Sequence, residues 1–466
     1  MKRLHTRALA LAVAAALAAC AQPQPPKTPA NTLPARFAAS DASASAVLST
    51  RWWTLYDEPA LDALVQQALD SNLDLRAAAA RVDETAVAVG LARAAQWPTL
   101  DASAAFTRSR SSALNGTPSL PGGPESSTHR VGLSTSFEID LWGRLRNATQ
   151  AAQEQLLAAE YARDAVRLAT VGALVQAWWS VRALDAQQAL LAQQRQMRQD
   201  SLDLVAKRVR GGVASGLDAA QAESAVATLD VQQAELQRQR ALLVNGIGLL
   251  AGQPDLSVPV DRRVLPVPVT VPAGLPSELL TRRPDVQQAE AAMRASFAQF
   301  DVVKKSAWPT LSLTGSLGLQ SQDLTDLLKS GARTWSLGPS LLVSLFDAGR
   351  NAARADEARA RAEQAAIAWQ RASQVAFREV ADALANAQGL NTQEQHLLRQ
   401  QRAAQEALRI ANRRYENGYS GFLDVLESQR SALDADLGLL RLRQQRMDAS
   451  VALVKALGGG WEAPAR

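Results

Sequence analysis

One cysteine, three histidines and a few carboxylates beside glycine turns carry most of the chemistry open to this chain of 466 residues. Cys20 follows Leu17-Ala18-Ala19. Ahead of it lie Lys2, Arg3 and Arg7 and then an apolar stretch from Ala8 to Leu17. That order reads as a targeting segment over residues 1–19, too short to cross a bilayer as a helix. A lone thiol directly behind small residues suits cleavage before Cys20 and attachment of lipid to it. With Cys20 so used, no intramolecular disulfide is expected. His5, His129 and His396 are scattered, and His5 leaves with the targeting segment, so a His/Cys metal site is not expected. The chain carries no G-x-S-x-G, no P-loop and no G-x-G-x-x-G behind a strand. No enzyme activity and no cofactor are expected. Loss of residues 1–19 lowers the formal charge from +5 to +2, which argues against nucleic acid as a partner.

The carboxylates sit behind two glycine turns. Asp218 follows Gly211-Gly212-Val213-Ala214-Ser215-Gly216, and Asp424 and Glu427 follow Asn417-Gly418-Tyr419-Ser420-Gly421. Asp218 lies three residues after Ser215, the spacing of a capping box, and an acid near a helix N-terminus is favoured by the dipole. Capping is therefore one use for these acids, and a charged ring in an oligomer is another.

These turns belong to a duplication. Ala95-Gln96-Trp97-Pro98-Thr99-Leu100 returns as Ser306-Ala307-Trp308-Pro309-Thr310-Leu311, 211 residues later. Gly143-Arg144 returns as Gly349-Arg350, and Gly212 with Leu217-Asp218 returns as Gly418 with Leu423-Asp424, both at an offset of 206. Two similar halves imply one pseudo-symmetric body.

Residues 20–57 read as a lipid-anchored tether rich in Pro, Ala and Ser, followed by an equatorial part. The first repeat spans 58–252. It opens with a helical pattern, with Leu61, Leu64, Val65, Ala68 and Leu69 on one face, that runs to Gln96 and stops at Trp97-Pro98. The period then changes to 2, giving strands at about 99–109 and 129–141. In the second of these, Val131, Leu133, Thr135, Phe137, Ile139 and Leu141 face one way. Arg130, Gly132, Ser134, Ser136, Glu138 and Asp140 face the other. Residues 144–210 contain no proline and form a long helix, about 100 Å if unbroken. After the glycine turn a helix returns over 217–250. Residues 253–276, rich in Pro and Val, form a linker with equatorial character. The second repeat, 277–457, runs helix, strands at about 310–320 and 334–346, long helix 351–417 and return helix 422–457. A tail follows over 458–466. Val171, Leu174, Val175, Trp178, Val181 and Leu184 supply the helical spacing for side-by-side packing. Each long helix leaves a strand directly, so the hairpin tips are expected at the opposite end from the strands.

Strands of 10 to 13 residues, apolar on one face and polar on the other, have the length and pattern of a membrane barrel with a wet interior. Four strands cannot close one, because an open edge in lipid leaves backbone groups unsatisfied. Several copies of the chain must pool their strands, so a homo-oligomer is expected.

The ordered motifs resemble a known family. They are the run Leu-Asp-Ala-Leu-Val-Gln-Gln-Ala-Leu-Asp-Ser-Asn-Leu-Asp-Leu-Arg from Leu61, Trp97-Pro98, Arg283-Pro284-Asp285-Val286 with Ala289-Glu290, Trp308-Pro309, Phe346-Asp347-Ala348-Gly349-Arg350, and Arg414-Tyr415 with Gly418, Leu423-Asp424-Val425-Leu426 and Gln429-Arg430. In this order the chain resembles the outer-membrane efflux proteins, the TolC-like, lipidated outer-membrane factors of tripartite pumps. It looks most like the NodT-type branch that serves resistance-nodulation-division transporters. The resemblance covers nearly the whole mature chain. It implies a mainly α, duplicated TolC-like fold in a homotrimer. Each protomer would give four strands to a 12-stranded membrane β-barrel and its long helices to an antiparallel α-helical barrel in the periplasm. It implies a bacterial outer-membrane site, and Ala21, where Asp would signal inner-membrane retention, agrees. Its partners would be a periplasmic adaptor (a membrane fusion protein), an inner-membrane pump and outer-membrane lipid. The implied function is export of small molecules such as drugs through a gated periplasmic end.

By the same resemblance, Tyr415 and Asp424 match aperture positions, Glu427 falls where the family often has a carboxylate, and Asp218 is the first-half counterpart of Asp424. Some relatives carry an Arg lock at the position of Ser420, which cannot form that ion pair. The turns Gly212, Val213, Ala214 and Ser215, and Gly418, Tyr419, Ser420 and Gly421, would be adaptor-docking tips. Export of proteins by a type I system and efflux of metal ions are alternatives within the channel reading. A periplasmic adaptor or structural coiled-coil lipoprotein is the alternative of another class, and would lack the four bilayer-length strands.

Overall fold

The computed structural model describes residues 26–27, 33–34, 37, 49–112, 125–263, 265–268 and 278–461. The targeting segment 1–19, Cys20 and most of the tether lie outside the described residues, as do 462–466 of the tail. A 3-10 turn, Trp52–Tyr56, leads into α1 (Pro59–Ser71) and α2 (Leu73–Ala94). Then come β1 (Thr99–Arg110), β2 (Glu125–Ile139), α3 (Arg144–Arg210) and α4 (Gly216–Leu250). After the crossing segment and a single turn at Leu279–Arg282, the order repeats as α5 (Pro284–Lys305), β3 (Thr310–Ser321), β4 (Arg333–Leu342), α6 (Arg350–Glu416) and α7 (Phe422–Ala456). No described helix is long and apolar enough to cross a membrane.

Two expectations are corrected. The opening helix is not continuous to Gln96. Asn72 breaks it in an extended conformation, because its Oδ1 accepts from Leu75 N at 3.0 Å and caps α2, while its Nδ2 donates to Leu250 O at 2.9 Å. β4 stops at Leu342 instead of reaching 346. Its last partner is Thr310, and Pro309, the residue before, has no N–H to extend the ladder.

The chain divides into two compact units, and each draws on both repeats. The first is built on Val82–Ala158 and Ala289–Trp369 and holds the sheet. Its strands run antiparallel in the order β1-β2-β3-β4. The register keeps the two-residue alternation in phase across all four. Ala102, Leu133, Leu317 and Trp335 stand in one row, and Asp101, Ser134, Ser316 and Ser336 in a row on the other face. The hydroxyls of Ser316 and Ser336 are 2.8 Å apart. Cross-strand pairs of like character are the unit of sheet stability. Among the described residues β1 and β4 each have one free edge, and all twelve residues of β1 are exposed.

The second unit is built on Asn31–Arg81, Ala159–Gln288 and Gln370–Arg466. Val171, Leu174, Val175, Trp178, Val181 and Leu184 are all buried along α3, and Leu61, Leu64, Val65 and Ala68 are buried along α1. Trp52, Trp53, Tyr56 and Trp179 form an aromatic cluster, and Phe37 of the tether stacks on Phe377 at 5.0 Å. The crossing segment is held by charge. Asp185 is almost wholly buried; its Oδ1 accepts from Arg240 Nε at 2.6 Å and its Oδ2 from Asp261 N at 3.1 Å. Arg182 and Arg263 both pair with Asp261, whose carboxyl they hold well below the usual carboxylate range.

Candidate aperture at the hairpin tips

In the second unit α3 reverses into α4 and α6 reverses into α7, and the two reversals share one backbone design. In the first, Val213 N donates to Arg208 O at 2.9 Å and Gly212 N to Val209 O at 3.0 Å, with Gly212 at φ 74. In the second, Tyr419 N donates to Arg414 O at 2.8 Å and Gly418 N to Tyr415 O at 3.1 Å, with Gly418 at φ 77. This is the Schellman closure, and the left-handed residue it needs is glycine in both cases. Behind the tips Val205, Ala222, Ala411, Phe422 and Val425 form one apolar cluster, with Leu202, Val209, Ala219, Tyr415 and Leu426 packed on it. All four helices contribute, so both tips stand on one base.

The helix starts differ. Ser215 caps α4: its Oγ accepts from Asp218 N at 3.2 Å, and Asp218 Oδ2 accepts from Ser215 N at 3.0 Å. Asp218 is therefore engaged in a complete capping box. At the matching place before α7 stands Gly421, which offers no side chain. Asp424 is exposed there and has no hydrogen bond or ion pair among the described residues. Glu427 is exposed and pairs with Arg430 at 2.8 Å, a contact of small energetic value at the surface.

Tyr415 ends α6 half-buried. Its ring lies 5.4 Å from that of Phe422, and its hydroxyl is buried without a partner among the described residues. Over its other face sits Arg208 from the end of α3, the guanidinium carbon 4.4 Å from the ring centroid. Arg208 also donates to Tyr415 O at 3.3 Å and to Glu416 O at 3.4 Å, so it caps the C-terminus of α6 from the neighbouring hairpin. Sequence reasoning missed Arg208. The available signal was a cation in the last turn of a helix, where the dipole favours it. Ser420 Oγ is buried without a partner among the described residues. Thus the structure joins Tyr415 to Phe422 and Arg208, and leaves the carboxylates of Asp424 and Glu427 on the exposed side of α7. At the tips Val213, Leu217, Tyr419 and Leu423 project apolar side chains into solvent.

The family model described as outer membrane efflux protein matches residues 64–253 and 275–459. The chain belongs to that family. It is an outer-membrane efflux channel and not an enzyme. It is 34% identical over 432 residues to the outer membrane protein OprJ of Pseudomonas aeruginosa, covering 91% of this chain and 89% of OprJ. It is 31% identical to the cation efflux system protein CusC of Escherichia coli, over 93% of this chain and 94% of CusC. The crystal structure of a membrane protein from Pseudomonas aeruginosa superposes with a TM-score of 0.86 at 33% identity, covering 95% of this chain and 98% of that one. The fold is the TolC-like one of this efflux family, mostly helical with a four-stranded sheet.

Proposed function

We propose that three copies of this chain assemble into the outer-membrane duct of a tripartite efflux system. The observation that carries this reading is a four-stranded sheet of lipid-length strands whose outer edges, β1 and β4, are both unpaired. In hydrocarbon such edges must find partners, and β4 of one copy meeting β1 of the next satisfies them. Three copies supply twelve strands, an even number within the range of such barrels. Cys20 bears the lipid that holds the tether to the membrane. A periplasmic adaptor docks on the tips, where Val213 and Leu217 of one hairpin and Tyr419 and Leu423 of the other offer repeat-related apolar knobs. An inner-membrane pump supplies the energy.

The aperture closes at the second hairpin. Asp424, free of any capping duty, faces its copies around the three-fold axis with Glu427 close by. Arg208 and Tyr415 latch the two hairpins in the resting state, in place of the ion pair that Ser420 cannot make. Asp218 holds its helix start and contributes little to the gate.

The cargo is small molecules of the drug class, passed on by the pump. Metal-ion efflux is the second reading, favoured by the likeness to CusC. The assembly is tested by placing Cys at Ala104 of β1 and at Leu337 of β4, which share one face of the sheet, in the full-length protein and oxidising it in membranes. Covalent trimers are expected, and species no larger than dimers would reject the shared wall. Deleting the gene and comparing tolerance to dyes with tolerance to copper and silver separates the two cargo readings.

A further inference from the structure

The foot of the sheet, where each repeat passes from helix to strand, carries several cations: Arg144 and Arg146 pair with Glu138 and Asp140, while Arg93, Lys304 and Lys305 have no ion pair among the described residues. α2 ends with Arg93 four residues before Trp97, and α5 ends with Lys304-Lys305, Lys304 standing four residues before Trp308. In both repeats a proline and a strand follow the Trp. The duplication has kept a cation and an indole at one spacing on both chains that enter the sheet.

On the return path β2 runs through Asp140 into Trp142 and Gly143. Trp142 Nε1 donates to Pro309 O at 2.7 Å, and its ring lies 4.8 Å from that of Trp308. Both indoles are exposed. Gly143 adopts φ 76, and a β-carbon there would stand 3.3 Å from Arg146 Nη2 and 3.5 Å from Lys305 Nζ. The two cations therefore share one small patch beside the paired indoles. The acid at hand is Asp140, 3.4 Å from Arg146 Nε, but its oxygens already accept the N–H groups of Leu145 at 3.2 Å and Arg146 at 3.0 Å. Lys305 faces the amide oxygen of Asn147 at 3.0 Å, once that amide is oriented to satisfy both neighbours. Neither Lys304 nor Lys305 has an ion pair among the described residues. At the far end of the sheet three arginines have partners within the sheet, and Arg333 has no ion pair among the described residues. Arg108 and Arg110 reach Glu125 at 2.8 and 3.7 Å, and Arg130 donates twice to Gln320.

We propose that the foot of the sheet binds the phosphate of an anionic phospholipid in the periplasmic leaflet, with Lys305 and Arg146 as charge partners and the Trp142–Trp308 pair against the glycerol and first acyl carbons. The inference rests on the sheet lying in a membrane. Indoles settle at the headgroup level, and Lys or Arg at that level attracts anionic lipid. The indole pair is what favours a lipid over free phosphate, which would use the cations alone. The flanking chain supplies the apolar side of the same boundary, since Leu345 and Phe346 beyond β4 are fully open to the surroundings.

The test uses the full-length protein in detergent, with phosphatidylglycerol and phosphatidylcholine offered together and retained lipid read by native mass spectrometry. Insertion into vesicles is measured separately, so failure of the membrane reading is told apart from failure of the lipid site. Phosphatidylglycerol is expected to be retained about tenfold over phosphatidylcholine. That preference should vanish in the Lys305→Gln, Arg146→Gln double variant, survive in Lys305→Arg, and survive in Arg108→Gln at the far end. Should the double variant not assemble, the wild-type preference still decides: equal retention of the two lipids overturns the proposal. Displacement of the lipid by inorganic phosphate alone at matched ionic strength also overturns it, because the site would then be a phosphate site and not a lipid site.

Discussion

The two hairpin tips have the same backbone and different chemistry. Both close through a glycine at positive φ with the same pair of hydrogen bonds, and both rest on one apolar cluster. They differ at the residue before the return helix, Ser215 in one and Gly421 in the other. With a hydroxyl present, the acid three residues on is drawn into a reciprocal cap. With none, the equivalent acid is left outside. One substitution between duplicated halves thus sorts two similar carboxylates into a structural part and an unengaged one. An acid that a helix already uses is a poor candidate for a gate, and one that it does not use is a better candidate.

The contrast can be broken most sharply at the residue that crosses it. Arg208→Ala removes the cation over Tyr415 and both hydrogen bonds to the end of α6, and single-channel conductance of the purified protein in planar bilayers should rise several-fold. An unchanged conductance would mean that the two hairpins are not latched there. Arg208→Lys keeps the charge without the planar fork and should fall between the two. Next in size, Asp424→Ala should lower the resting conductance by about twofold, because loss of like-charge repulsion around the axis lets the aperture close more tightly. Asp218→Ala should leave it unmoved. Equal effects of these two substitutions would erase the distinction drawn here.

Gly421→Ser sharpens the comparison by converting one tip toward the other. The backbone at Gly421 is extended and nothing stands within 4 Å of a β-carbon placed there, so serine fits. The new cap should stabilise the start of α7 by a few tenths of a kcal/mol. It should also draw Asp424 inward, shifting conductance in the direction of Asp424→Ala but less far. The reverse change, Ser215→Ala, should weaken the start of α4 by about 1 kcal/mol, read as faster amide exchange over residues 216–220 with conductance intact. Glu427→Gln, which removes only a surface pair, should alter thermal stability by less than about 1 kcal/mol.

Much of this was legible in the sequence. The helices of α3 and α6 announce themselves by 67 residues each without proline, and the sheet by alternation that the register later keeps in phase. Asn72 was not legible as a break, because Ser-Asn-Leu carries no glycine or proline and the interruption depends on Leu250, far along the chain. The end of β4 was hidden for a similar reason: Val343 to Leu345 continue the alternation, and only the lack of a partner ends the strand. Asp218 could be read as a cap from Ser215 alone. Arg208 could not be read as the partner of Tyr415, since their contact joins two hairpins across 207 residues of sequence.

The ladder between β2 and β3 stitches the two halves of the polypeptide together. A half-length ancestor with two strands would have needed six separate chains to close the same wall, and every one of them would have carried an identical tip. Fusion halves the number of encounters that must succeed in the bilayer. It also ends the sixfold equivalence, so that three positions around the tube are free to evolve away from the other three.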